Sequence, residues 1–100
     1  MIRFEVEESL GAHWQTAVEA RAAHALQSLE ARFEEASLRL TSKPAISGAS
    51  VRYCCEFSAK TAGGGTLHFS SLNEDPLVAI DDTIARARRS ATRFRDIGRQ

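Results

Sequence analysis

Four short segments in which apolar and polar residues alternate, two long stretches with a helical period, and turn residues between them predict an α+β fold. Their order is β-α-β-β-β-α, which implies a four-stranded mixed sheet with two helices packed on one face. In the first strand Ile2, Phe4 and Val6 alternate with Arg3, Glu5 and Glu7. Ser9 and Gly11 mark a connector. A helix is then expected from about Ala12 to Arg32 or Phe33, with Trp14, Val18, Ala22, Leu26, Leu29 and Phe33 on one stripe. Ala36, Leu38 and Leu40 resume the two-residue period as a second strand. Pro44 and Gly48 break the pattern before a third, where Val51, Tyr53, Cys55 and Phe57 share the face expected to meet the helices. Gly63, Gly64 and Gly65 turn the chain into a fourth strand, Thr66 to Ser71, with Leu67 and Phe69 inward.

A helix between the first two strands gives the chain room to cross over, so those strands should be parallel neighbours. The next two connections suit antiparallel hairpins. The last helix, expected over residues 76–95, has a clear start. Asp75 can cap its free amides, and Pro76 has a backbone angle preset for the first turn.

One hundred residues with 43% hydrophobic content suit one small domain with one core. The expectation is a single domain over residues 1–100. The sequence shows no apolar run long enough to span a membrane and no secretion signal at its N-terminus. Cys54 and Cys55 are adjacent, and on a strand they would point to opposite faces, which argues against a bridge between them. A reduced, cytoplasmic protein follows.

Because the formal net charge is zero, an interaction with nucleic acid has to rest on where charge sits. The last helix is acidic at its start (Asp81, Asp82) and basic beyond it (Arg86, Arg88, Arg89, Arg93, Arg95). Leu77, Ile80, Ile84, Ala87, Ala91 and Phe94 form its packing face. At about 100° per residue, Arg86, Arg89 and Arg93 form a stripe opposite that face. Arginine's planar fork suits phosphate, so such a stripe can meet successive phosphates of a folded RNA. It also suits an ordinary solvated helix face. Acids early and bases late complement the helix dipole, and Asp82 with Arg86 is an i,i+4 pair.

The run from Gly63 to Arg95 resembles the ribosome hibernation-promoting factor family, also called ribosome-associated inhibitors or sigma-54 modulation proteins. The resemblance lies in Gly64-Gly65, Leu67-His68, and Asp75 with Ala79-Ile80-Asp81, followed by Arg86, Arg89, Arg93 and Arg95 at the family's basic positions. Leu29, Glu30 and Phe33 echo a motif of the family's first helix. The resemblance implies a short-form member whose fold is loosely similar to double-stranded RNA-binding domains. It further implies a stress-response translation regulator that binds rRNA of the small ribosomal subunit, in the channel used by mRNA and tRNA. Arg86, Arg89, Arg93, Arg95, Arg88, Arg21 and His24 are the RNA-binding candidates. Arg21 and His24 enter as the nearest substitutes for first-helix lysines, whose positions here hold Ala25 and Ser28. The last helix also has Ala87, Ser90 and Ala91 at the family's Leu and Gln positions, and Leu77 where an aromatic residue is common. The alternative is a diverged member that binds another structured RNA or a protein.

No catalytic or metal site is expected. His13, His24 and His68 lack a spacing that gathers metal ligands, and a Cys54–His68 pair would have no third orienting group. His68 should face the polar side of its strand, as a plain strand residue or an RNA contact. The glycine triplet joins two strands and lacks the lysine of a phosphate loop, so no cofactor or small-molecule substrate is implied.

Overall fold

The computed structural model describes residues 2–27, 33–43, 51–61 and 63–97, with residues 91–97 described through their helical backbone. The observed elements are β1 (Ile2–Val6), α1 (Ala12–Gln27), β2 (Phe33–Lys43), β3 (Arg52–Thr61), β4 (Thr66–Asn73) and α2 (Pro76–Ile97). A short 3-10 turn, Glu8–Leu10, leads from β1 towards α1. The sheet order is β1-β2-β3-β4, parallel between β1 and β2 and antiparallel in the two hairpins. This is the predicted α+β architecture.

Alternation decides which side chains meet the helices. The register sets Phe4 beside Leu38, Leu38 opposite Phe57, and Phe57 opposite Phe69, so one apolar row crosses all four strands. Leu38, Leu40, Cys55 and Phe57 are fully buried, and they pack with Val18, Ala22 and Leu26 of α1 and Ala79, Ile80, Ile84 and Ala87 of α2. α2 lies over β3 and β4, α1 lies along β1, and the two helices touch. Thr83, a buried polar residue of this core, lies 3.1 Å from the Cys55 carbonyl and 2.9 Å from the Ala79 carbonyl. Its hydroxyl therefore has acceptors both on β3 and within α2.

Two expectations are corrected. Phe33 does not end the first helix: it opens β2, is buried, and sits edge-on to Phe57 with ring centroids 5.7 Å apart. A bulge between Phe33 and Glu35 adds one residue before Ala36, so Phe33 falls out of the two-residue period. Its distance from Leu26 then imitates a helical repeat. Leu29, Glu30 and Arg32 lie outside the described residues, as do Pro44 and Gly48. Val51 is the second correction. It precedes the first pair of the hairpin, Lys43 with Arg52, and is 46% exposed rather than packed under the helices.

The start of α2 forms as predicted. The Leu77 amide donates to Asp75 Oδ1 at 2.9 Å, and the Ala79 amide donates to the Asp75 carbonyl at 3.2 Å. Asn73 Oδ1 in turn accepts from the Asp75 amide at 2.9 Å, which fixes the approach to the cap. In the β3–β4 turn Gly64 has φ +92°. A Cβ there would meet nothing within 4 Å, so it is the backbone angle, not space, that calls for glycine.

Candidate nucleic-acid interface

α2 presents its arginines by helical period. With Ile80, Ile84 and Ala87 turned inward, Arg86, Arg88 and Arg89 are exposed. Arg93 and Arg95 continue the same helix within its described backbone. The predicted site residues nevertheless stand in different circumstances.

Arg86 is engaged at both ends of its fork. Nε lies 3.5 Å from Asp82 Oδ2, the local pair expected from the sequence, and Nη1 donates to the Ser70 carbonyl of β4 at 3.1 Å. Asp82 is itself held by Ser71, whose hydroxyl donates to Oδ2 at 2.7 Å. Arg21 reaches from α1 to α2, where its Nη1 donates to Asp81 Oδ1 at 3.1 Å and Oδ2 at 3.0 Å. This long-range pair went unread in the sequence, because no local spacing joins residues sixty positions apart. Arg89 has no ion-pair partner among the described residues. His24 is exposed on α1 and lines a groove with Ile2, Phe4, Ala20, Ala23 and Gln27, towards β1 rather than α2. The structure thus joins Arg21 to the beginning of α2 but sets His24 apart.

The opposite sheet face carries a second set of polar side chains. Arg3, Ser37, Ser58 and His68 form one cross-strand row, and Glu5, Arg39, Glu56 and Ser70 form the next. Glu5 lies 3.9 Å from Arg3 and 3.8 Å from Arg39, and His68 Nε2 lies 3.9 Å from Glu56 Oε2. Arg3 and Arg39 thus share the Glu5 carboxylate, and His68 has Glu56 beside it. His68 faces the polar side, as expected. It stands opposite Ser58, while Cys54 stands opposite Leu72, so the register does not align a Cys54–His68 pair.

Both cysteines are free and buried. Burial pushes the Cys55 thiol up to about 12 and also raises Cys54, the latter with help from the Glu56 charge. Neither is activated as a nucleophile, which requires the thiolate. Glu7, at the end of β1, is moved the other way. The Ser42 hydroxyl donates to it at 2.6 Å, the Ser42 amide at 3.1 Å and the Ser9 hydroxyl at 2.9 Å, and these bonds hold its carboxyl below the usual range. Among the described residues no cluster of His, Cys, Asp and Glu could hold a metal ion, and no helix is long and apolar enough to cross a membrane.

No protein-family model matches the sequence, and no curated protein matches it. The fold is similar to that of a ribosomal subunit interface protein from Coxiella burnetii. The TM-score is 0.68 at 9% sequence identity, over 95% of this chain and 97% of that one. This likeness identifies the architecture as one that a ribosome interface protein also uses.

Proposed function

We propose that this chain is a ribosome-associated translation inhibitor that binds rRNA of the small subunit in the mRNA and tRNA channel. The observation that supports it is positional. The residues that resemble the hibernation-factor run fall on the elements the run requires, in a chain whose fold is shared almost end to end with a ribosomal subunit interface protein. Gly64 makes the turn, Leu67-His68 lie in β4, Asp75 caps α2, and Arg86 to Arg95 continue along that helix. In this reading the protein acts by occupancy. A rigid sheet backs α2, arginines meet phosphates, and exposed contacts keep binding reversible. RNA contact through Arg88, Arg89, Arg93 and Arg95, with Arg21, Arg86 and His24 as supporting cations, is part of the proposal, as is a cytoplasmic site of action.

One observation favours a second reading, a relative that binds another structured RNA or a protein. Arg21 and Arg86 already have carboxylate partners, and Ala25 stands at a position where the family carries lysine.

The test replaces Arg89, Arg93 and Arg95 together with Gln, which is also a good helix former. This variant leaves the Arg21–Asp81 and Arg86–Asp82 pairs intact. The expected result is near-normal thermal stability with loss of co-sedimentation with purified small subunits and loss of translation inhibition in vitro. Wild-type binding should weaken with salt, with a log–log slope near −3 for about four phosphate contacts. Unchanged subunit binding by the folded variant rejects this interface. Absence of wild-type binding to subunits moves the function to the second reading.

A further inference from the structure

Asp81 and Asp82 lie in the second turn of α2, past the first-turn amides on which a dipole complement depends, so their role rests on the cations they touch. Asp81 takes both of its contacts from a single nitrogen of Arg21, and Asp82 sits against Arg86 Nε. The four side chains are 42–54% exposed. Pairs so exposed are worth little and open readily. Building on the RNA-binding reading above, we propose that Asp81 and Asp82 are specificity-determining residues that hold the place of phosphate on two of the candidate cations.

The argument follows from what an incoming anion gains. A lone phosphate that displaces Asp81 from Arg21 exchanges one charge-assisted hydrogen bond for another. It also leaves a carboxylate within a few ångströms of itself, where like charges repel. The exchange yields almost nothing. A folded RNA differs because its phosphates come as an array. Contacts at Arg89 and along the rest of α2 release condensed counterions, and that gain can drive the opening of both pairs. The aspartates therefore reject isolated anions and lower the affinity for every nucleic acid, which leaves an advantage to a surface that engages the whole helix. They also account for how a chain of zero net charge can present an arginine-rich helix without indiscriminate binding. Ser71 holds Asp82 in place from β4, so the competing carboxylate is positioned by the fold and does not wander.

The experiment uses Asp81→Asn, Asp82→Asn and the double variant, each with its fold checked by circular dichroism and thermal melting. Binding is measured to purified small subunits and, separately, to a short RNA duplex of arbitrary sequence, with inorganic phosphate as competitor. Each substitution should tighten binding to both RNAs about two- to fivefold at low salt. The salt slope should steepen, by up to about one unit per aspartate. Inorganic phosphate should compete better against the double variant than against wild type. Glu74→Gln makes the same change in net charge on an exposed residue at the same end of α2, and should shift binding less than twofold.

Unchanged or weaker duplex binding by folded variants overturns the proposal, and so does equal tightening by Glu74→Gln. If Asp81→Asn loosens the contact between helices, Asp82→Asn decides alone. Tightening on the duplex without any binding to subunits upholds the role of the aspartates and rejects the ribosome as partner, which keeps the two conclusions separable.

Discussion

Ser37, Ser58 and His68 line up across three strands, one residue away from Leu38, Phe57 and Phe69 on the same strands. The second row lies under the helices and the first faces away from them. On the covered face Leu38 and Phe57 lose all contact with water, and each such burial is worth about 1.5–3 kcal/mol. On the open face Arg3 and Arg39 stand 3.9 and 3.8 Å from Glu5 and remain solvated, where an ion pair contributes about 0–1 kcal/mol. A one-residue step along a strand thus changes the energetic weight of a side chain severalfold. Stability is concentrated on one face, and the charged face is left free to vary.

Phe57→Ala breaks this contrast most strongly. It removes the centre of the covered row and should lower the unfolding free energy by about 3–5 kcal/mol in a urea titration. A loss below 1 kcal/mol would mean that this row is not the core. Thr83→Val keeps the shape of the seam between α2 and β3 but removes its hydroxyl, and should cost about 0.5–1.5 kcal/mol. Glu7 adds a pH dependence at the sheet end. Its folded carboxyl titrates below its unfolded value, so its contribution is present above the unfolded pKa and is lost as pH falls through the folded one. Glu7→Gln should accordingly flatten the acid limb of a stability profile while leaving neutral pH less affected. Arg39→Gln, on the open face, should change stability by no more than about 0.5 kcal/mol. A larger loss would show that the open face carries structural weight after all.

The features legible in the sequence are those set by near neighbours. Asp75-Pro76 announces the helix start, Gly64 the turn, and Asp82 with Arg86 a pair one helical turn apart. Ala36 to Leu40 reveals its strand because alternation is local. Phe33 was hidden because a bulge shifts it out of phase, and Val51 because a pattern does not say where a ladder ends. The site suffered more than the fold. Arg21 with Asp81, Arg86 with Ser70, and Glu7 with Ser42 are contacts between different elements, sixty, sixteen and thirty-five positions apart. A helical wheel shows a stripe of arginines but cannot show which of them are already occupied.

The carbonyl of Ser70 has a consequence for assembly. β4 and β1 are the two outer strands of the sheet, and an outer strand offers unpaired amides and carbonyls to any passing extended chain. Arg86 occupies the Ser70 carbonyl on one rim, and Gln15 donates its side-chain amide to the Phe4 carbonyl at 2.9 Å on the other. Each rim is therefore sealed at one point by a residue from the helix beside it, and a strand growing onto either rim would first have to evict that side chain. Arg86 therefore has a second role beside its pair with Asp82: it covers one of the backbone acceptors through which a fifth strand could join the sheet.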